Sequence, residues 1–174
     1  EGALVLNNLL LTTACATVFV GTLYPLALEV LTGDKISVGA PFFNLTFAPL
    51  FLPLLLAVPF GPLLAWKRGD IVGASQRLTA AGIVALVTMA VLWAWTKGGG
   101  AFAPLMIGVA AFVVLGALTD IVERTQLFRA PLPTSLSRAR GLPRSTWGSA
   151  FAHAGLGIAL IGIVCETTWN SESI

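Results

Sequence analysis

The sequence predicts an all-α membrane protein, built as a bundle of about five transmembrane helices. Of its 174 residues, 56% are hydrophobic and only 10% are charged, whereas an ordinary soluble domain carries about 25% charged residues. Its ten Lys and Arg and eight Asp and Glu residues are too few to cover the surface of a soluble core of this size. Lipid is therefore the expected solvent for most of the chain.

Five stretches without Asp, Glu, Lys or Arg are long enough to cross a bilayer, because a transmembrane helix needs about 20 mostly apolar residues. These stretches are apolar on every face, whereas the strands of a membrane barrel alternate apolar and polar residues, so helices are predicted. We expect them to form a single bundle over residues 1–174, as a fragment of a longer multi-pass chain. The predicted spans cover residues 2–28, 41–66, 78–96, 101–119 and 145–165.

The positive charges predict the orientation of the bundle. Eight of the ten Lys and Arg residues fall in the second and fourth connections, and only Lys35 and Lys97 fall in the others. Because short cytoplasmic loops carry an excess of Lys and Arg, we expect a cytoplasmic amino terminus and a carboxyl terminus on the opposite, periplasmic side. The tryptophans agree, since indole rings prefer the headgroup level. Trp66 and Trp147 lie at predicted inner ends, and Trp93, Trp95 and Trp169 at predicted outer ends.

Two segments depart from a plain helical span. The second span contains Pro41, Pro49, Pro53, Pro59 and Pro62, which predict a kink or partial break because proline has no amide donor. Such a break is typical either of a bent packing helix or of a broken helix that forms a binding site. The connection from Arg124 to Arg144 is predicted to be irregular and cytoplasmic, and the run Gly98-Gly99-Gly100 to be a tight turn.

Several classes of function are excluded or left without support. A net charge of +2 provides no basic stripe that follows a phosphate backbone, so no nucleic-acid partner is expected. Cys15 and Cys165 lie 150 positions apart without a CxxC or CxxCH motif, so they indicate no disulfide framework, zinc site or covalent haem attachment. Nucleophile-elbow, Walker A and GxGxxG patterns do not occur.

His153 is the candidate functional residue, because no other residue within a predicted span both titrates near neutral pH and binds metals. It lies eight residues after Ser145, about 12 Å along a helix and therefore inside the hydrocarbon. An imidazole at this depth needs a partner. Axial ligation of a haem, a hydrogen bond between helices and a proton relay are the three roles left open.

The helix around His153 has two faces of different character. At about 100° per residue, the histidine shares its face with Ser149 and Gly157, which are small enough to leave room for a wide, flat group such as a haem. The opposite face is a row of small residues, and such rows let two membrane helices approach closely. The row consists of Gly148, Ala152, Gly155, Ala159 and Gly162. We therefore expect this row to contact a neighbouring helix.

Weaker candidates lie on other predicted helices. Asn7 and Asn8 in the first span are expected to bridge helices, with an approach to a polar ligand group as the alternative. Asp120 and Glu123 lie one turn apart beside Arg124, which favours a structural ion pair over a metal or acid–base site.

Four motifs carry a resemblance to a known family. They are LNNLLL at 6–11, GTLYPL at 21–26, GAPFFN at 39–44 and WGSAFAHAGL at 147–156. In this order and spacing they resemble CcmF, the large haem lyase subunit of the bacterial cytochrome c maturation system. The last motif contains His153 and is similar to the CcmF helix that carries a transmembrane histidine.

The resemblance implies a multi-pass protein of the bacterial inner membrane. It implies that haem is taken from the chaperone CcmE and joined to the CxxCH thiols of apocytochrome c, which a CcmH-type subunit presents. It also implies a b-type haem, with quinol as an electron donor and His153 as one axial ligand. The sequence has a single histidine, so the second ligand, like the family's periplasmic haem-handling segment, is expected elsewhere, and the isolated fragment is expected to be inactive.

Two functions of other classes compete with this one. A transporter or channel module is suggested by the proline-broken second span together with an intramembrane histidine. A structural membrane subunit, in which His153 only bonds two helices, is the other alternative. Absorption spectra separate them, because only the haem lyase predicts b-type haem bands that weaken when His153 is replaced.

Overall fold

The computed structural model describes residues 2–36, 38–64, 70–97 and 100–169, and all of its regular elements are helices. They are α1 (Gly2–Thr32), α2 (Ala40–Ala57), a 3₁₀ helix (Val58–Leu63), α3 (Ile71–Trp95), α4 (Phe102–Thr125), α5 (Leu132–Gly141) and α6 (Arg144–Trp169). Within the described ranges no strand is present. The predicted all-α class is confirmed.

Four of these helices are long and apolar enough to cross a membrane. They lie at Leu4–Thr32, Ile71–Trp95, Phe102–Thr125 and Arg144–Thr168. The proline-rich segment is not one long helix, because α2 gives way to the 3₁₀ helix where Pro59 and Pro62 occur. The amide of Leu64 bonds to the carbonyls of Phe60 and Gly61 at 3.0 and 3.3 Å, so this end of the segment remains hydrogen-bonded. The chain is thus a multi-pass α-helical membrane protein.

The chain divides into two compact units, residues 1–55 and residues 56–174. The first unit contains α1 and most of α2. Along α1 the hydroxyls of Thr13 and Thr17 donate to the carbonyls four residues earlier, at 2.8 and 2.9 Å. This pairing within the helix satisfies the hydroxyls without help from water, as hydrocarbon surroundings require.

The second unit is organised around α4. This helix packs against α3, α5, α6 and the 3₁₀ helix, and half of its most apolar stretch is buried, against 17% for α3 and 11% for α6. Its buried positions include Ala103, Ala110 and Ala117, spaced seven residues apart. Small residues at this spacing lie on one face and let neighbouring backbones come close.

Two contacts hold the 3₁₀ helix against α4. A methyl group at Gly116 would lie within 2.9 Å of Pro59 Cγ, so the proline ring rests directly on the α4 backbone. Arg124 then donates from Nε to Asp120 Oδ1 at 2.8 Å and from a terminal nitrogen to the Pro62 carbonyl at 3.3 Å. Asp120 is 4% exposed, so the ion pair with Arg124 offsets the cost of burying its carboxylate. The structural ion pair predicted for Asp120 and Arg124 is confirmed.

The expectation of an irregular connection from Arg124 to Arg144 is wrong. α4 ends at Thr125, with Gln126 in the left-handed conformation at φ 54°, and α5 follows at Leu132–Gly141. Pro131 and Pro133 precede or begin α5, where the missing amide breaks no helical bond. Ser135 Oγ donates to the Gln126 carbonyl at 3.3 Å, and Trp147 Nε1 donates to the Ala139 carbonyl at 3.3 Å.

The remaining sequence expectations about connections have mixed outcomes. Trp93 and Trp95 lie exposed at the carboxyl end of α3, as expected for residues at the end of a span. Trp66 and the glycines Gly98 and Gly99 lie outside the described residues. The orientation across the membrane and the single bundle over residues 1–174 stay predictions.

Replacement of Gly116 by Ala tests the contact between α4 and the 3₁₀ helix. The added methyl group overlaps Pro59, and overpacking of this kind costs about 1–3 kcal/mol of unfolding free energy. Gly82→Ala on α3 is the matched control, because nothing lies within 4 Å of the position of its new methyl group. Thermal unfolding in detergent should show a lower midpoint for Gly116→Ala only; equal midpoints would contradict the contact.

Replacement of Arg124 by Ala tests the dependence of Asp120 on its partner. The buried carboxylate loses its ion pair, which costs about 3–5 kcal/mol when the remaining charge is buried. Lys35→Ala breaks an exposed pair with Glu29, whose side chains are 83% and 48% exposed, and such pairs contribute about 0–1 kcal/mol. Unfolding titrations with a denaturing detergent should rank Arg124→Ala well below Lys35→Ala, and the reverse order would refute the assignment.

Candidate functional site

His153 lies in α6, on the face of the helix that packs against α4. Its side chain is partly buried, as are those of Ala150 and Ala154, and Gly157 and Val164 farther along this face are buried. The neighbouring turns thus shield the imidazole on the side of α4. His153 therefore lies beside the contact between α6 and α4 and is partly shielded by it.

Gly157 is the point of closest approach between α6 and α4. A methyl group there would come within 2.5 Å of Val114 Cγ2 and 2.8 Å of the Ala110 carbonyl oxygen. Only glycine permits this approach of the two backbones. Since Gly157 follows His153 by one helical turn, the contact fixes the position and rotation of the turn that carries the imidazole.

The row of small residues makes no contact with another described helix of the second unit, so its contact with a neighbouring helix stays a prediction. All five residues of the row, from Gly148 to Gly162, are exposed. Nothing lies within 4 Å of a methyl group built on Gly148, Gly155 or Gly162. The close approach needs a single glycine at the crossing point with α4, and that glycine lies on the histidine's own face.

The two predicted neighbours of His153 have different surroundings. Ser149 lies one turn before the histidine and is partly buried. The space that the sequence suggested beside Gly157 is filled by Val114 of α4, so Gly157 acts in helix packing. A contact of either residue with a haem stays a prediction.

The imidazole of His153 makes no hydrogen bond to another described residue. A bare metal ion finds no group of three His, Cys, Asp or Glu side chains in the parts of the chain that the structure describes. A haem iron needs fewer protein ligands than a bare ion, because the porphyrin nitrogens already bind the iron and side chains supply only the axial ligands. The single uncommitted imidazole therefore fits an axial haem ligand better than a site for a free ion.

The other predicted candidates have the following surroundings. Asn7 is partly buried and Asn8 exposed on α1, in the first unit. Cys15 is exposed on α1 and Cys165 is partly exposed near the end of α6. Glu123 lies 3.9 Å from both Arg77 and Arg129, in the charged group at the end of α4.

The residue types that indicated His153 did not reveal the part that α4 plays in the site. Ala110 and Val114, which face Gly157, were not singled out. A signal for them was present, since Ala103, Ala110 and Ala117 recur every seven residues in this span. A seven-residue repeat of small side chains is typical of a helix that other helices pack against.

These features define a class of protein: a multi-pass α-helical membrane protein with one histidine on the packed face of a membrane span. Comparison with curated proteins gives a particular family. The chain is 72% identical over its whole length to the cytochrome c-type biogenesis protein CycK of Bradyrhizobium diazoefficiens. It is 58% identical, again over its whole length, to CycK of Rhizobium meliloti, and 31% identical over 99% of its length to the cytochrome c-type biogenesis protein CcmF of Escherichia coli.

The chain belongs to this CycK and CcmF family of cytochrome c-type biogenesis proteins, and the resemblance noted in the sequence is confirmed. It spans about a quarter of the length of these relatives, 26% of both CycK proteins and 25% of E. coli CcmF. No family model matches the chain, and no solved structure matches it significantly. The family supports a role in cytochrome c maturation.

Replacement of Gly157 by Ala tests the helix contact beside His153. The methyl group enters the space of Val114 and the Ala110 carbonyl, so a loss of about 1–3 kcal/mol of unfolding free energy is expected. Gly155→Ala on the opposite face meets open space and should be neutral or stabilising by up to about 1 kcal/mol, because alanine favours helix. The measurement is thermal unfolding of both variants in detergent, and a destabilised Gly155→Ala with an unchanged Gly157→Ala would reverse the assignment of faces.

Proposed function

We propose that this chain is a membrane part of a haem lyase in cytochrome c maturation, in which His153 is an axial ligand of a b-type haem. The names of the relatives support a role in cytochrome c maturation, since CycK and CcmF are both cytochrome c-type biogenesis proteins. The observation that carries the ligand assignment is the imidazole itself. It lies partly buried on the packed face of a span and has no hydrogen bond to another described residue.

The residues of this chain have distinct parts in the proposed site. His153 binds iron through a ring nitrogen, as histidine does in many haem proteins. The contact of Gly157 with α4 holds α6 in one rotation, so the turn that carries the imidazole keeps one position. Ser149, one turn earlier, lines the same face. When bound, the haem supplies one-electron redox chemistry, and its apolar surroundings help set the potential.

Other parts of the proposed activity belong to the whole protein. His153 is the only histidine of the 174 residues, so a second histidine ligand, as in a bis-histidine haem, would come from outside them. The same holds for the surface that receives haem from the chaperone CcmE and for the site where the CcmH-type subunit presents apocytochrome c. Quinol is the proposed electron donor. We place the protein in the bacterial inner membrane, with the amino end of this segment on the cytoplasmic side because of its basic connections.

The transporter alternative rests on the break at Pro59 and Pro62. A broken helix that forms a binding site leaves backbone groups directed at a ligand. Here the Pro62 carbonyl accepts a hydrogen bond from Arg124, and the Pro59 ring packs on Gly116. These contacts use the break for packing, and they favour the haem lyase over the transporter.

The ligand assignment is tested on the intact natural protein carrying changes at His153. His153→Gly should lose most of the reduced b-type absorption, because the iron loses an axial ligand. Added imidazole should restore the bands, since a free imidazole can occupy the space left by the side chain. A helix-bonding histidine predicts unchanged haem content, and a transporter predicts no pigment in the unaltered protein, so either result would overturn the assignment.

Gly155→Ala is the matched control for these spectra, because it changes α6 on the exposed face. It should keep the bands of the unaltered protein. The yield of mature cytochrome c in cells tests the reaction separately. A full yield in cells that lack the protein would refute the haem lyase role, whatever the spectra show.

A further inference from the structure

A charged depression lies at one end of the second unit, away from His153. It has a volume of about 570 Å³ and is lined by the end of the 3₁₀ helix, by Arg77 of α3 and by the last turns of α4, with Arg129 beyond them. Leu63 and Leu64 contribute an apolar wall. Because α3 begins and α4 ends here, the depression lies where two candidate spans leave the membrane.

The charges around the depression do not cancel. Arg124 already has two hydrogen-bond partners within the protein, since it donates to Asp120 at 2.8 Å and to the Pro62 carbonyl at 3.3 Å. Glu123 is shared between Arg77 and Arg129, each at 3.9 Å, which is longer than a hydrogen bond. Among the described lining residues, three guanidinium groups thus face two carboxylates, and these five groups carry a net charge of +1.

Arg77 and Arg129 have donors that remain free to bind a ligand. Their side chains are 49% and 74% exposed, and a guanidinium carries several N–H groups in a planar fork. Arginine forks bind phosphate oxygens in pairs. Both groups line the same depression and both approach the Glu123 carboxylate, so together they can bind a single phosphate.

We propose that this depression binds the phosphodiester headgroup of an anionic phospholipid, with Arg77 and Arg129 as its direct partners. The net charge of +1 matches the single charge of a phosphodiester, whereas free phosphate carries about −1.5 to −2. The apolar wall of Leu63 and Leu64 suits the start of an acyl chain. Basic pockets between transmembrane helices bind anionic headgroups in this way.

The experiment is a titration of the intact natural protein, purified in a neutral detergent, with short-chain phosphatidylglycerol. Thermal unfolding reports binding, because a ligand of the folded state raises the midpoint. Phosphatidylcholine, which has no net charge, and inorganic phosphate are titrated in parallel. Phosphatidylglycerol should raise the midpoint at concentrations where the other two do not.

Variants connect the binding to the named side chains. The double variant Arg77→Gln with Arg129→Gln should raise the half-saturating phosphatidylglycerol concentration at least about tenfold, because it removes both charge-assisted contacts. Arg140→Gln, exposed on α5 and outside the depression, should stay within about twofold. Glu123→Gln removes the competing carboxylate and should lower the half-saturating concentration, a gain that misfolding cannot imitate.

Three results would overturn the proposal. An equal response to inorganic phosphate would identify a site for free phosphate. An equal response to phosphatidylcholine would show that charge has no part. An equal loss of binding in Arg140→Gln and in the double variant would place the lipid on the basic surface as a whole.

Discussion

Polar groups in hydrocarbon must find partners within the protein, and the structure of this chain depends on that constraint. Threonine hydroxyls such as that of Thr13 bond to carbonyls of their own helix, and Arg124 satisfies both Asp120 and the carbonyl of Pro62. His153 departs from the pattern, since no described residue bonds to its ring. A bond to iron would satisfy the imidazole in the same way that these internal bonds satisfy their neighbours.

The helix α4 connects the packing of the second unit to the proposed haem site. Its small residues receive Pro59 at Gly116 and α6 at Ala110. The contact at Ala110 uses Gly157, one turn from His153, so the same close approach that joins the helices also positions the turn that carries the imidazole. Helix packing and the position of the proposed ligand are therefore coupled. Substitutions on α4 that disturb the contact with Gly157 should also displace the turn that carries His153.

Composition was sufficient to predict the all-α membrane class, because hydrocarbon tolerates few charges and the charge-free stretches mark the spans. Side-chain size did not predict which face of α6 packs against α4, since the single glycine Gly157 makes the close approach and the longer row from Gly148 to Gly162 makes none within the described residues of the second unit. α5 was missed because Pro131 and Pro133 resemble helix breakers, although proline is compatible with a helix start. His153 could be found from residue type alone, whereas Ala110 and Val114 depend on the crossing of two helices.

The most direct measurement is an experimental density map of the intact protein purified with its pigment. We expect the ring nitrogen of His153 bonded to the iron of a haem, a second ligand from outside these 174 residues on the opposite side of the porphyrin, and Gly157 in contact with α4. A map in which a porphyrin is present but bound by other side chains, with the His153 ring turned away from it, would contradict the proposed site.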